Sequence, residues 1–341
     1  MEKSVIDLLE RLSFHDSEIP HFPREGYTPV KLSKENFHKI KKSDSPNLIA
    51  FIDGGNQEIT GAHNFSLQMI RLYYCIYQNN KRIKKNTYEA FVLINAIKKE
   101  KSISYEVKIS SGDALGIDKM SFDAYDATLS TGGRMVKVES IGEISRKFLE
   151  IKLATKLCQE LKNGFIVLDT TLEATVNGEK KLFDEMYKAS MENNVMISAL
   201  SKTTSLLTES GNSVIAILNS LNVDGEWYYH PLVKIDNHDH KAEVYIVKLN
   251  EKSKYVFRLE ANNPESDKIE ILLSLLYLNS KDPVFLGYPY GLIEADKFAR
   301  VQNKEVDVKR TQLFMKLGKN FEKLKNYLNT KNAHNILDNI K

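Results

Sequence analysis

Two short apolar runs, each followed by an acidic residue, are the first regular feature of the sequence. Residues 47–52 (NLIAFI) precede Asp53 and two glycines, which predicts a buried strand broken by a tight turn. Residues 165–168 (FIVL) repeat the pattern and end on Asp169. Because open α/β sheets usually form their sites where strands end, the two aspartates are candidates for one site.

The residues between these runs begin with strand-like segments. Residues 65–78, 87–97 and 103–109 are rich in β-branched and aromatic side chains, and the gaps between them are short. This spacing predicts an antiparallel meander that continues from the first strand. The basic sequence NNKRIKK at residues 79–85 is predicted to form the turn between the first two of these segments.

Residues 140–162 change to a helical period, with Ser140 and Glu143 as a predicted capping box. Glu150 lies on the same face as three leucines further along this helix. A charged carboxylate that faces a core requires a proton, an ion-pair partner or a bound cation. The alternative is that Glu150 reaches past the apolar edge and that the two aspartates simply begin turns.

The remaining pattern predicts an N-terminal helix and a second half of mixed elements. Residues 1–16 have amphipathic helical spacing and lead into a polar stretch that ends near residue 45. Strands are predicted at residues 213–218, 227–234, 243–249, 255–259 and 284–286, and helices at residues 268–278 and from 294 to about 328. No linker is obvious enough to divide the chain in two.

Composition favours a folded globular protein in a reducing compartment. Of the 341 residues, 42% are hydrophobic and 27% are charged, which argues against disorder. Lys and Arg number 48 against 45 Asp and Glu, so any attraction to nucleic acid has to be local. The two cysteines suggest neither a disulfide framework nor a zinc site. No segment is typical of a signal peptide or a membrane span, and we expect a cytoplasmic protein.

Four sequence blocks carry a resemblance to a known family. In order, they are FIDGGNQEI, SRKFLEIKLATKLCQELKNGFIVLDTTLEA, SALSKTTSLL and FLGYPYGLIEADKFARV. Their order and spacing resemble the NurA nuclease family of archaeal and bacterial DNA-end processing, over roughly residues 46–341. The likeness and the element order imply an α/β, ribonuclease H-like mixed sheet flanked by helices. The implied organisation is an N-terminal helical arm at 1–45, a nuclease domain at 46–310 and a C-terminal helical extension at 311–341.

The resemblance implies catalytic roles for five residues. Asp53, Glu150 and Asp169 match the family's metal-binding carboxylates and would hold Mn²⁺ or Mg²⁺. Tyr288 matches a late tyrosine and would position a water or a phosphate. Asp296 stands where the family has a histidine; aspartate is an equally good ligand of a hard cation but a poor proton donor at neutral pH. We therefore expect Asp296 to be an auxiliary ligand.

Basic residues supply the candidate DNA contacts. Lys202 matches a lysine of the family and would hold a phosphate, although a solvated lysine at a helix start is an equal alternative. The predicted hairpin tip offers four cations, Lys81, Arg82, Lys84 and Lys85, which would follow a DNA backbone or simply remain solvated. His238 and His240 are interpreted as parts of a polar turn.

The function implied by the resemblance is metal-dependent cleavage of DNA. We expect an exonuclease, with single-strand endonuclease activity as a second activity, in DNA-end processing for repair or recombination. Its expected partners are DNA, a HerA-type hexameric translocase and a second copy of the chain. A catalytically impaired DNA- or translocase-binding relative is the main alternative, motivated by Asp296. An actin-like or sugar-kinase-like ATPase is less favoured, because residues 169–172 (DTTL) lack phosphate-loop glycines.

Overall fold

The computed structural model describes residues 18–110, 115–130, 132–262 and 264–328. The helix predicted over residues 1–16 and the C-terminal sequence KNAHNILD lie outside these described residues. The described part divides into two compact units, each assembled from several stretches of the chain. The first unit holds the described residues of 18–46, 168–173 and 196–290, and the second holds those of 47–167, 174–195 and 291–328.

Among the described residues, seven strands precede the first α-helix, and strands and helices are interspersed after it. The strands are β1 (Tyr27–Pro29), β2 (Phe37–Lys39), β3 (Ile49–Ala62), β4 (Phe65–Gln78), β5 (Lys81–Lys99), β6 (Ser102–Ser110), β7 (Lys119–Asp123), β8 (Phe165–Leu168), β9 (Met196–Ser201), β10 (Trp227–Tyr229), β11 (Val233–Ile235), β12 (Glu243–Lys248) and β13 (Phe257–Ala261). The helices are α1 (Ser140–Leu161), α2 (Glu179–Glu192), α3 (Val214–Ser220), α4 (Ser266–Asn279), α5 (Tyr290–Ala299) and α6 (Asn303–Leu317).

The second unit contains the predicted meander. Its strands lie in the order β8-β3-β4-β5-β6-β7, and each consecutive pair from β3 to β7 is antiparallel. Helix α1 packs against β3 and β4, and α2 packs against α1. The apolar face of α1 is buried in this way because its leucines repeat at helical spacing. The antiparallel meander and the helix that follows it are confirmed.

The first unit is built on a second set of strands. Here the order is β2-β10-β12-β13-β9, each neighbouring pair is antiparallel, and β1 pairs separately with β11. The polar stretch that ends near residue 45 thus contributes β1 and β2, which the sequence pattern missed. The predicted α/β class, a mixed sheet flanked by helices, is confirmed. Because neither unit is continuous in sequence, no single linker marks a boundary.

Strand β3 continues through the turn that was predicted after Asp53. Gly54 pairs with Leu72 of β4, and the ladder runs on until Ala62 pairs with Phe65. The predicted turn is therefore wrong, because hydrogen bonding to β4 keeps the glycines extended. Asp53 consequently lies inside a long strand and not at its end.

Most of the basic sequence NNKRIKK, residues 81–85, belongs to a strand and not to a turn. Only Asn79 and Asn80 form the hairpin turn; their φ angles of 49° and 55° are the left-handed values that a two-residue turn requires. Strand β5 begins at Lys81, so the four basic residues pair with β4. The predicted turn is corrected to two residues.

Helix N-caps explain two further wrong predictions. Residues 213–218 form helix α3 and not a strand, because the Ser213 side chain accepts the N–H of Ala216 and begins a helix. Ser140 does not cap α1 as predicted. It is the first helical residue, and Glu139 before it makes no side-chain capping hydrogen bond.

Breaks in the chain account for the other differences. The strand predicted over residues 227–234 is two strands, β10 and β11, with Pro231 between them, which has no N–H to donate. The strand predicted at residues 284–286 falls largely in a 3₁₀ helix, Pro283–Phe285. The long C-terminal helix is interrupted at residues 300–302, which separate α5 from α6.

A buried acid fixes helix α5 to the meander. Glu294 accepts hydrogen bonds from the Tyr73 hydroxyl at 2.5 Å, the Tyr77 hydroxyl at 2.7 Å and the Arg82 guanidinium at 2.7 Å. Burial alone would raise the pKa of Glu294, but these three donors lower it below its ordinary value. The carboxylate therefore stays charged and ties α5 to β4 and β5.

Replacing this anchor should destabilise the protein in a pH-dependent way. Because its folded-state pKa is lowered, Glu294 stabilises the protein above its unfolded-state pKa of about 4.3 and loses that contribution as pH falls through the folded-state value. Glu294→Gln should therefore lower the free energy of unfolding by roughly 1–3 kcal/mol at pH 7 and by less at pH 4, measured by denaturant titration.

The matched control is Glu160→Gln. This change removes the exposed ion-pair partner of Lys84, which lies on β5 like Arg82. We expect that change to cost less than about 1 kcal/mol. Equal losses in the two variants, or a loss in Glu294→Gln that does not depend on pH, would contradict the anchoring role.

Candidate metal centre

Strand β3 places the first candidate ligand. Asp53 pairs with Tyr73 of β4 and is 8% exposed. One of its carboxylate oxygens accepts the N–H of Gly54 at 2.7 Å, which holds the side chain close to its own strand. The position is fixed by the ladder on β4 and not by a turn.

Helix α1 brings a second acid to β3. Glu150 is 3% exposed, as its place on the apolar stripe predicts, and it forms an ion pair with Arg146, one turn earlier. Arg146 also donates to the carbonyl of Gly54 at 3.2 Å. Burial would lower the pKa of Arg146, but the carboxylates of Glu150 and Asp53 raise it. The buried acid is therefore paired with a permanent cation.

Two glycines of β3 permit close packing around these groups. A Cβ on Gly54 would overlap the Glu150 carboxylate and the side chain of Leu72, and a Cβ on Gly55 would overlap the carbonyl of Ala299 at the end of α5. Glycine at these positions thus serves close approach and not a turn. The carbonyl of Ala299 leaves no space for a larger side chain at Gly55.

Helix α5 carries the third acid. The Asp296 carboxylate is paired with Arg300, one turn later, at 2.8 Å. Glu294, two residues before it, is the buried anchor of this helix. The hydrogen bonds of Glu294 to β4 and β5 therefore position the part of α5 that carries Asp296.

Asp169 directly follows β8, and Lys202 directly follows β9. The Lys202 ammonium lies 2.5 Å from an Asp169 carboxylate oxygen and 5.8 Å from the centre of the Tyr288 ring. Tyr288 is fully buried and packs against Phe257 and Phe285, with ring centres 5.1 and 5.2 Å away. The candidate phosphate ligand is thus already paired with a candidate metal ligand.

A buried network that the sequence analysis missed supports the loop after Asp169. Glu260 accepts a hydrogen bond from the backbone N–H of Leu172 at 2.7 Å. Its carboxylate also lies 3.1 Å from Nε2 of His240 and forms an ion pair with Arg258 at 2.7 Å. Burial would raise the pKa of Glu260, but His240 and Arg258 lower it. His238 and His240 lie in the turn between β11 and β12, as the sequence predicted, but the side chain of His240 is buried.

Two of the candidate aspartates come together in the second unit. Asp53 and Asp296 each offer one carboxylate oxygen, and these oxygens lie within 4.8 Å of one another. Glu150 is not a member of this group. The arrangement is an oxygen-only cluster of the kind that hard divalent cations prefer.

Three of the four basic residues at the start of β5 are engaged with neighbours in the same unit. Arg82 pairs with Glu294 at 2.7 Å and Lys84 with Glu160 at 2.5 Å, while the Lys85 ammonium lies 5.6 Å from the ring centre of Phe298. Lys81 is exposed. Arg82 and Lys84 therefore have much of their charge compensated, and Lys81 and Lys85 are the better candidates for DNA contact.

Comparison with known proteins gives the family. The NurA domain matches residues 47–301, about three quarters of the chain. The geometry and this match describe an α/β domain with clustered carboxylates. The chain belongs to the NurA domain family, as its sequence blocks predicted. A comparison with curated proteins found no match.

Solved structures give weaker likenesses. The NurA nuclease from Sulfolobus solfataricus is 14% identical, with 84% of this chain and 88% of that chain covered and a TM-score of 0.49. Endonuclease V from Ciona intestinalis in complex with DNA is 12% identical, with 76% and 90% covered and a TM-score of 0.38. Human endonuclease V is 8% identical, with 74% and 82% covered and a TM-score of 0.36. Family membership rests on the domain match.

The helices also bear on membrane association. Among the residues that the structure describes, no helix is both long enough and apolar enough to span a membrane.

The packing at Gly54 gives a test of this geometry. Gly54→Ala should lower the free energy of unfolding by roughly 1–3 kcal/mol, because the added methyl group overlaps atoms of Glu150 and Leu72 in a filled space. Gly61→Ala on the same strand is the control, since its nearest atoms belong to the end of the Glu58 side chain. Denaturant unfolding should show the larger loss at Gly54; an equal or smaller loss there would contradict the close packing.

Proposed function

We propose that the protein is a metal-dependent DNA nuclease in which Asp53, Asp169 and Asp296 hold Mn²⁺ or Mg²⁺. The observation that carries the proposal is the pair of carboxylate oxygens of Asp53 and Asp296, which lie within 4.8 Å of one another; the family resemblance adds Asp169 as the third ligand. Membership of the NurA domain family supports it. The family match also sets aside the actin-like or sugar-kinase-like ATPase.

The donor set fits a hard divalent cation. Such a cation binds oxygen at about 2.0–2.6 Å, so two ligands of one ion lie at most roughly 5 Å apart. The separation between the carboxylate oxygens of Asp53 and Asp296 satisfies this limit. All three donors are carboxylates, which suit Mg²⁺ and Mn²⁺ and give no preference between them.

A bound divalent cation would lower the pKa of a coordinated water and offset charge that develops on a phosphate. The chain's own residues prepare the substrate. Lys202, held between Asp169 and the ring of Tyr288, is positioned to donate to a phosphate oxygen. Tyr288 fixes the approach of Lys202, which is the role that we propose for it in place of direct contact with a water.

Glu150 has a supporting role in this proposal. The sequence resemblance assigned it to the metal, but its ion pair with Arg146 supports a different task. We propose that Glu150 holds Arg146 beside Asp53, where the guanidinium offsets the negative charge of the cluster. Glu150→Gln should therefore reduce activity less than replacement of Asp53.

The biological setting follows from the family resemblance. We propose exonuclease activity on DNA ends in repair or recombination, single-strand endonuclease activity, a HerA-type hexameric translocase as partner, a homodimer and a cytoplasmic location. Lys81 and Lys85 are proposed to contact the DNA backbone, with smaller contributions from Arg82 and Lys84, whose charges are largely compensated.

Neutralising a ligand should abolish cleavage without unfolding the protein. Asp53→Asn and Asp169→Asn should each reduce Mn²⁺-dependent cleavage of end-labelled DNA by roughly 10²-fold or more. Stability in metal-free buffer should hold or rise, because one of several like charges is removed. Asp307→Asn, an exposed aspartate paired with Arg310, is the matched control. Full cleavage by either ligand variant would contradict the assignment.

Asp296 separates an active enzyme from an impaired relative. If Asp296 is a ligand, Asp296→Ala should weaken Mn²⁺ affinity, while Asp296→His should retain cleavage because imidazole also binds Mn²⁺. If the family's histidine instead donates a proton, Asp296→His should accelerate the natural protein by up to roughly 10²-fold. A natural chain without Mn²⁺-dependent cleavage, and no gain in Asp296→His, would favour the impaired alternative.

A further inference from the structure

The first unit contains a pocket of about 270 Å³ beside the loop that follows Asp169. Its lining includes His21, Phe22, Arg24, Tyr27, Glu173 and Arg258. The five-residue segment from Asp169 to Glu173 therefore has a candidate metal ligand at one end and a wall of the pocket at the other.

An ordered aromatic pair forms one side of the pocket. The rings of Phe22 and Tyr27 are stacked, with centres 5.6 Å apart and planes inclined by 14°. The Tyr27 hydroxyl lies 3.2 Å from Glu173 and 2.8 Å from Nδ1 of His240, which fixes the ring. A rigid aromatic surface of this kind favours a flat ligand with an apolar face.

The charges in the pocket are balanced. Arg24 forms an ion pair with Glu173, and Arg258 pairs with Glu260 at 2.7 Å. Each guanidinium thus already has a carboxylate partner, which makes the pocket a poor site for a free phosphate. Neutral ligands with donors and acceptors on their edges suit such paired groups. The volume, smaller than that of a typical drug site, limits the ligand to about one ring system.

We propose that this pocket binds one unpaired nucleobase of the substrate strand. The base would stack on the Phe22 and Tyr27 side and present its polar edge to the paired Arg and Glu groups. The inference rests on the proposed function in that it takes DNA as the substrate. Because Glu173 and Asp169 belong to one short segment that Glu260 holds at Leu172, a base in the pocket would fix the strand next to this segment.

The test uses single-stranded oligonucleotides that each carry one 2-aminopurine, moved stepwise along the strand. The full chain is titrated in EDTA so that no cleavage occurs. The fluorescence of 2-aminopurine is quenched when the base stacks on an aromatic ring. We expect strong quenching at one position of the strand. An abasic site at that position should weaken affinity by about 5-fold or more, in keeping with the value of one base stacked on an aromatic side chain.

Variants identify the pocket as the source of the quenching. Phe22→Leu should abolish it and weaken affinity by about the same factor as the abasic site, with no further loss when the two are combined. Phe22→Tyr keeps the ring and should keep the quenching, which shows that loss in Phe22→Leu is not misfolding. Tyr255→Leu is the matched control, since Tyr255 is 59% exposed and does not line the pocket.

The outcomes separate this inference from the proposed function. Binding of the strand without quenching at any position, or quenching that Phe22→Leu leaves intact, would overturn the pocket assignment and leave DNA binding in place. Failure of the natural chain to bind the strand at all would overturn the proposed function, and this inference with it.

Discussion

Repulsion between carboxylates is the constraint on which this structure depends. Asp53 and Asp296 place oxygens within 4.8 Å of one another, and the proposed metal centre adds Asp169. Like charges at such a distance near a protein surface repel by a few kcal/mol per pair, on the order of 3–4. The fold offsets this cost with nearby cations: Lys202 pairs with Asp169, and Arg300 with Asp296. A divalent cation at the cluster would remove the remaining repulsion, which is why the arrangement favours metal binding.

Two buried glutamates that are not ligands hold the aspartates in place. Glu294 ties α5 to the meander through two tyrosines and an arginine, and Asp296 lies two residues further on. Glu260 accepts the backbone N–H of Leu172 and thereby supports the loop that begins at Asp169. Both acids keep a lowered pKa despite burial, because each has several donors. The positions of Asp169 and Asp296 therefore depend on these two buried carboxylates.

The sequence predicted the parts of this site that local pattern determines. The apolar stripe of α1 identified Glu150 as buried, and the short runs before Asp53 and Asp169 identified their strands. Prediction from the sequence failed for features whose interacting residues lie far apart along the chain. Gly54 looked like a turn because glycine before a polar stretch commonly is one, whereas pairing with β4 and contact with Glu150 explain its presence. Glu294 and Glu260 were missed, since the donors that identify them come from other strands.

The most direct test is calorimetric titration of the metal-free protein with Mn²⁺. Because the three aspartates are expected to act as one oxygen-only site, the natural chain should bind Mn²⁺ saturably, and excess Mg²⁺ should compete. Asp53→Asn should lose this binding while Asp307→Asn retains it. Saturable binding that Asp53→Asn leaves unchanged, or no binding by the natural chain, would contradict the claim that these carboxylates form a metal centre.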